Sequence, residues 1–168
     1  MSENALIQDV FIAPMPKQKP GKSIQTYGTP EDFLMAVKAK WAIDEFSVDA
    51  AASRDNAVCK AFIDEAQDAL KCSWTRTGVV WCNPPFANLE KWVRKAYIES
   101  QQGSHILMLV PASPGANWWR DWVHHKATVT FVNGRLTFVG QEDPYPKDVA
   151  LLEYPFRGQL AYNIWTWR

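Results

Sequence analysis

One short stretch, residues 79–86, constrains the fold of this chain more than any other. Residues 79–82 (VVWC) are apolar and predict a short buried strand. The strand runs directly into Asn83, Pro84, Pro85 and Phe86. Because proline cannot donate to a β-ladder and holds the residue before it extended, these residues predict a rigid loop. In open α/β sheets, a loop at the carboxyl end of a strand lies at the edge where ligands bind.

The residues of this loop suit a planar guest that carries an –NH2 group. The side-chain carbonyl of Asn83 and the backbone carbonyls of Pro84 and Pro85 are fixed acceptors, and Phe86 offers a flat face. Two acceptors on one amine localise the nitrogen lone pair, so that it can attack an electrophile held in line. The exocyclic amine of a flipped base is the expected guest. Asn-Pro is also a common turn signal, and the same residues can serve only to end the strand.

Composition and charge narrow the class of protein. The 168 residues carry 18 basic and 18 acidic side chains, so a nucleic acid has to be met by a local patch and not by a global field. Cys59, Cys72 and Cys82 are odd in number and lack paired zinc or redox spacing, which predicts reduced thiols in the cytoplasm. The cysteine spacing also gives no reason to expect a metal. With no signal peptide and no apolar run of membrane length, we expect no membrane partner.

The N-terminal part predicts an arm followed by a helix. Residues 1–25, with their prolines and lysines, predict a flexible arm, and residues 26–168 predict one domain without a separate target-recognition domain. Thr29 is the expected N-cap and Pro30 the expected first residue of a helix that reaches Trp41.

A strand and a small-residue turn follow this helix. The strand ends in Asp49, and the small side chains of residues 50–53 let a ligand approach the backbone closely. Residues 54–56 are predicted to start a helix, and residues 60–63 to form a second short strand. The acids beyond that strand, Asp64 and Asp68 among them, can accept ribose hydroxyls or an adenine amine, or can be solvated loop charges.

The remaining chain predicts a largely parallel sheet. Asn88 is expected to cap an amphipathic helix that stops near Gly103, and the apolar run 106–110 predicts a strand buried on both faces. This strand–helix–strand order implies a right-handed crossover and parallel pairing, which brings the loops 83–86 and 111–115 to one edge of the sheet.

The C-terminal part predicts a helix and an antiparallel hairpin. Residues 117–126 predict a tryptophan-rich helix whose adjacent histidines, His124 and His125, point too far apart to share a metal. Asn133-Gly134 is expected to be the two-residue turn of a hairpin between strands 128–132 and 135–139. Residues 149–153 and 161–167 predict closing strands.

Six motifs occur in a fixed order: YGTP at 27–30, VDAAAS at 48–53, DAL at 68–70, WCNPPF at 81–86, LMLVP at 107–111 and NGRLTF at 133–138. This ordered set resembles the small phage-type DNA N6-adenine methyltransferases over roughly residues 25–155. The resemblance implies an α/β, Rossmann-like methyltransferase fold, with a mostly parallel sheet and a C-terminal antiparallel hairpin. It also implies S-adenosylmethionine as methyl donor, DNA as partner through adenine in a short or relaxed site, and the bacterial or phage-infected host cytoplasm as compartment.

The resemblance also assigns roles to residues. Thr29 and Pro30 match the motif at the donor's methionine end, and Asp68 matches the acid near its adenosine, beside which Asp64 is a further candidate. The donor-binding strand turn matches Asp49, Ala50, Ala51 and Ala52. The amine-holding catalytic loop matches Asn83, Pro84, Pro85 and Phe86.

Several alternatives stay open from the sequence. The donor turn is rich in alanine where the wider class has glycine, and alanine resists positive φ, so a degenerate fold that only binds is one alternative. Methylation of a protein glutamine is another, because an amide –NH2 makes the same demands on the loop. Cytosine-N4 chemistry uses a similar loop. Cytosine-C5 chemistry needs a nucleophilic cysteine, and Cys82 is expected to lie on the opposite face of the strand from Asn83.

Overall fold

A computed structural model describes residues 27–155 and 162–168 of the chain. Its helices are α1 (Glu31–Trp41), α2 (Leu89–Gln101) and α3 (Asn117–Trp122), with a 3₁₀ turn at Phe86–Asn88 before α2. Its strands are β1 (Val48–Asp49), β2 (Val79–Cys82), β3 (His105–Pro111), β4 (Thr128–Asn133), β5 (Val149–Tyr154) and β6 (Asn163–Thr166). The expected arm lies outside the described residues. No helix within them is both long and apolar enough to span a bilayer.

The fold is an α/β arrangement around one mixed sheet of six strands. Their order is β1-β2-β3-β5-β4-β6. The first three strands pair in parallel, as expected from the crossover through α2, and β6 pairs in parallel with β4. Strand β5 is antiparallel to both of its neighbours. Because β1, β2 and β3 are parallel, the loops that follow them open onto the same edge of the sheet.

The predicted Asn-Gly hairpin is wrong. After β4 the chain turns at Gly134, with φ of +105°, but residues 135–138 form no strand and Val139 makes only an isolated bridge to Gly28. The reason is that both edges of β4 are already taken, one by β5 and the other by β6. The segment 134–148 instead crosses the sheet edge, with the amide of Val139 donating to the carbonyl of Gly28 at 3.0 Å.

Three local predictions near the site also need correction. The N-cap of α1 is Pro30, in extended conformation, and not Thr29, and no side chain caps the helix. Residues 54–56 form turns and not the start of a helix, because the Oδ1 of Asn56 accepts from the backbone amide of Ser53 at 2.6 Å. The predicted strand at 60–63 is reduced to a parallel bridge between Phe62 and Asp49.

Two hydrophobic layers cover the two faces of the sheet. Alternate residues of β2 and β3 supply both layers: Val80 and Ile106 face α2 and α3, whereas Trp81 and Leu107 face α1. Every residue of β3 beyond His105 is buried, as its continuous apolar run predicted. The sheet is therefore fixed from both sides, and its carboxyl edge carries loops on a rigid support.

Candidate active site

The Asn-Pro-Pro-Phe loop leaves the carboxyl end of β2, as the sequence predicts. Pro84 is buried, and Asn83, Pro85 and Phe86 are half-buried. The amide nitrogen Nδ2 of Asn83 donates to the carbonyl oxygen of Tyr27 at 2.7 Å and to the hydroxyl oxygen of Thr29 at 3.2 Å. These two bonds account for both hydrogens on Nδ2, so they fix how the side-chain amide is turned.

The ring of Phe86 belongs to an aromatic cluster made of Tyr27, Phe86, Phe138 and Tyr145. Its centroid lies 5.6 Å from that of Tyr145, 6.0 Å from that of Phe138 and 6.3 Å from that of Tyr27. The amide of Tyr145 donates to the carbonyl of Leu136 at 2.7 Å, which holds this part of segment 134–148 against the loop. Burial, and then the neighbouring Tyr27, raise the pKa of Tyr145.

Sequence reasoning missed Phe138 and Tyr145 as neighbours of the Asn-Pro-Pro-Phe loop. The Asn-Gly signal predicts Phe138 in a hairpin strand, and nothing local marks Tyr145 except the prolines on either side of it. Both reach Phe86 only because the chain leaves the sheet after Gly134. No periodicity in the sequence carries that information.

Asp49 holds the turn after β1. Its side chain is 3% exposed; Oδ1 accepts from the amide of Ala51 and Oδ2 from the amide of Val58, both at 3.2 Å. Burial raises the pKa of Asp49 to about 6, against the smaller lowering effect of these two bonds. Both carboxylate oxygens thus serve the backbone, and the residue shapes the turn around which a ligand can sit.

The alanine-rich turn closes without the backbone conformation that favours glycine. Among the described residues other than glycine, positive φ occurs at Ala42, Asp68 and His125, and therefore at none of residues 50–52. Ala50 is fully buried, whereas Ala51 and Ala52 are partly exposed.

A cavity of about 610 Å³ lies between this turn and the Asn-Pro-Pro-Phe loop. Five of the predicted site residues line it: Ala51, Ala52, Asp64, Asp68 and Pro85. Ser53, from the predicted small-residue turn, also lines it, and so does Trp92 of α2, which sequence reasoning missed as a site residue. Apolar walls with a few acids at the rim are typical of a site for a small organic molecule, and the volume lies in the range of such sites.

The two acids of this cavity are held by different contacts. The Oδ1 of Asp64 accepts from the amide of Gln67 at 3.0 Å. Asp68 has φ of +54° and forms an ion pair with Lys71 at 2.8 Å, and the hydrogen bond from Lys71 is the main cause that lowers the pKa of Asp68. Both carboxylates are therefore ordered acceptors at the cavity rim.

A second cavity, of about 370 Å³, lies beside the start of α1. Thr29, Glu31 and Lys38 line it, together with Asn56, which also lines the first cavity. The two cavities therefore meet at Asn56. Pro30 is not among the lining residues of either and instead begins the helix.

Cys82 is not placed to act as a nucleophile. It is fully buried in the layer under α2, whereas its neighbour Trp81 belongs to the opposite layer. Burial, with Asp49 adding to it, raises the pKa of the Cys82 thiol well above its usual range. In the part of the chain that the structure describes, no group of three or more His, Cys, Asp and Glu side chains is arranged to hold a metal ion.

The sequence of this chain is similar to those of two phage proteins. The chain is 27% identical over 136 residues to a DNA N-6-adenine-methyltransferase of Escherichia phage T1, a match that covers 81% of this chain and 52% of that protein. It is 26% identical over 100 residues to a DNA N-6-adenine-methyltransferase of Haemophilus phage HP1, covering 58% of this chain and 57% of that protein. The chain thus spans about half the length of these relatives.

A family model confirms the resemblance that the motifs predict. It matches residues 18–151, which include the turn after β1, the Asn-Pro-Pro-Phe loop and all of segment 134–148. The chain belongs to the DNA N-6-adenine-methyltransferase (Dam) family.

Proposed function

We propose that this chain transfers a methyl group from S-adenosylmethionine to the N6 amine of a flipped adenine in DNA. The observation that carries the proposal is the position of the catalytic loop. Pro85 lines the 610 Å³ cavity, and the next residue, Phe86, packs in the aromatic cluster. One rigid loop thus touches both a cavity suited to a donor and a set of rings suited to a base. Family membership and the two phage relatives support the same activity.

The cavities suit the two ends of the donor. Asp64 and Asp68 offer carboxylates to ribose hydroxyls, and Ala51 and Ala52 leave room for close approach to the backbone. The charges of Lys38 and Glu31 in the 370 Å³ cavity complement a carboxylate and an ammonium group, which the amino-acid end of the donor carries. When bound there, S-adenosylmethionine supplies an electrophilic methyl group on a sulfonium.

The residues of the chain contribute positioning and electrostatics. With Nδ2 of Asn83 held by Tyr27 and Thr29, the Oδ1 atom is the part of the amide that serves a substrate amine as acceptor. The backbone carbonyl of Pro84, in the same rigid loop, is the proposed second acceptor. Hydrogen bonds from the amine to these acceptors strengthen as positive charge develops on nitrogen, which lowers the barrier. Alignment of amine and methyl supplies the rest.

This mechanism requires no protein nucleophile, so it agrees with the burial of Cys82. In the proposed transfer, the N6 amine would take the methyl group as the C–S bond of the sulfonium breaks, which would leave a neutral thioether. The proton of the amine would leave to solvent once the C–N bond has formed. We further propose that the parallel half of the sheet, β1 to β3, corresponds to a Rossmann-like methyltransferase fold, and that the protein acts in the cytoplasm of a phage-infected bacterium.

Two alternatives differ in what supports them. The alternative of a degenerate fold that only binds a ligand rests on the alanine-rich turn, because alanine resists positive φ. Residues 50–52 have no positive φ, so alanine is not strained there. Methylation of a protein glutamine uses the same loop chemistry, but the relatives' names favour DNA.

The test is transfer of labelled methyl from S-adenosylmethionine to unmethylated duplex DNA, single-stranded DNA, RNA and bulk protein in parallel, followed by nucleoside and amino-acid analysis. We expect label in N6-methyladenine of DNA, and none with Asn83→Ala under the same conditions. Label in protein glutamine alone would establish the alternative enzyme. No transfer to any acceptor, together with no donor binding by calorimetry, would leave only the binding module.

A further inference from the structure

We infer that Thr29 is a positioning residue that acts on the reaction through Asn83, a role that rests on the proposed function. Thr29 is 8% exposed, and its hydroxyl oxygen lies 3.2 Å from the Nδ2 atom of Asn83. It is the only side chain in the described part of the chain that holds this amide nitrogen; the other partner is the backbone carbonyl of Tyr27, at 2.7 Å.

The orientation of the Asn83 amide decides whether the loop attracts or repels a substrate amine. An amide has two donors on its nitrogen and acceptor capacity on its oxygen. With Nδ2 turned towards Tyr27 and Thr29, an acceptor is left to meet the substrate. A half-turn of the amide would instead present –NH2 to –NH2, two donors facing each other. The carbonyl of Tyr27, which can only accept, opposes that half-turn, and the hydroxyl of Thr29 fixes the plane of the amide by accepting its second hydrogen.

The backbone on both sides of Thr29 is held by contacts with other parts of the chain. Gly28 bridges to Val139, with its carbonyl accepting from the Val139 amide at 3.0 Å. Pro30 fixes the chain on the other side, and its carbonyl accepts from the amide of Leu34 in the first turn of α1 at 3.0 Å. Thr29 therefore stands on a short rigid bridge between α1 and segment 134–148, and can impose a fixed direction on Asn83.

A different role for the same hydroxyl makes a different prediction. Thr29 also lines the 370 Å³ cavity. If its hydroxyl binds the donor there, removing the hydroxyl should lower the affinity for S-adenosylmethionine. A positioning role makes its loss costly to turnover once donor and DNA are both saturating. The two roles are thus separated by comparing kcat with the dissociation constant for S-adenosylmethionine.

The experiment uses the full chain with the isosteric Thr29→Val, with Thr29→Ser, which keeps the hydroxyl, and with Thr29→Ala as a smaller variant. Thr130→Val is the matched control, because Thr130 is a threonine of similar burial in β4. Each is assayed for kcat with duplex DNA, for S-adenosylmethionine affinity by calorimetry and for Tm. Because a neutral hydrogen bond contributes about 1 kcal/mol, we expect Thr29→Val and Thr29→Ala to lower kcat by about five- to tenfold. Thr29→Ser should recover most of it, and Thr130→Val should stay near wild type.

The outcomes separate this inference from the proposed function. If the wild-type chain methylates DNA and Thr29→Val has the same kcat, the inference is overturned and the proposed function stands. A loss of donor affinity as large as the loss of kcat also overturns the inference, since the hydroxyl then serves the donor. Failure of Thr29→Ser to recover kcat also contradicts it, because the side chain's bulk would then be what matters. A wild-type chain that methylates no DNA overturns both.

Discussion

Replacement of Asn83 by alanine tests the central element of the site. The variant removes two hydrogen bonds from Nδ2, at 2.7 and 3.2 Å, and leaves the Tyr27 carbonyl and the Thr29 hydroxyl without this partner. At about 1 kcal/mol for each bond, the free energy of unfolding falls by about 2 kcal/mol, which corresponds to a decrease in Tm of about 4–8 °C for a domain of this size. A domain of ordinary stability stays almost fully folded after such a loss.

The effect on the reaction is expected to be much larger than the effect on folding. Removal of one preorganised partner of the developing charge lowers kcat by about 10²–10³-fold, or about 3–4 kcal/mol. Donor affinity should change little, because Asn83 lies outside the set of residues lining the 610 Å³ cavity. The assay is single-turnover methyl transfer to duplex DNA, with calorimetry of S-adenosylmethionine binding on the same preparations.

Asn163→Ala is the matched control, since this asparagine begins β6, which β3, β5 and β4 separate from β2. It should retain wild-type turnover. The reasoning is refuted by a kcat for Asn83→Ala within tenfold of wild type. It is refuted equally by a loss of donor affinity that matches the loss of turnover.

Three further predictions concern the turn after β1, the cavity rim and the aromatic cluster. Burial raises the pKa of Asp49 from 3.8 to about 6, so the folded chain binds the carboxyl proton more tightly than the unfolded chain. The protonated side chain therefore adds to the free energy of unfolding. This contribution is fully present below pH 3.8 and is lost as pH rises through about 6. Urea unfolding between pH 4 and pH 7 should therefore show a decline of up to about 3 kcal/mol that is absent in Asp49→Asn, and parallel pH profiles would contradict this. Asp68→Asn should weaken donor binding by about tenfold in calorimetry. It should not lower Tm, because asparagine tolerates the φ of +54° at this position. Unchanged binding would exclude Asp68 from the donor site. Phe86→Ala should lower kcat/KM for DNA by about tenfold or more, while Phe86→Tyr keeps it near wild type, and equal losses in the two would argue against base stacking.

Sequence reasoning succeeded where the structure depends on neighbouring residues. The apolar runs of β2 and β3 and the amphipathic pattern of α2 predicted these elements within a few residues, and two prolines predicted the rigid loop at Asn83. The same local signals predicted that the loops after β2 and β3 share one edge. The family resemblance rested on these motifs, and the family model confirms it.

The failures share a physical cause, which is pairing between distant parts of the chain. An Asn-Gly turn favours a hairpin, but β4 instead pairs with β6, some 30 residues further on, and with β5. Thr29 has the residue type of an N-cap, yet its hydroxyl is engaged by Asn83, 54 positions away. Tyr145 reaches Phe86 for the same reason. Tertiary contacts overrode local propensity in each case.

The turn after β1 is shaped without glycine and without positive φ at residues 50–52. Backbone flexibility is replaced here by one buried carboxylate that ties the amides of Ala51 and Val58 together. A sequence pattern written around glycines would not match this turn, in which an acid is followed by three alanines. Replacing Asp49 by a residue without an acceptor would leave the amides of Ala51 and Val58 without this partner.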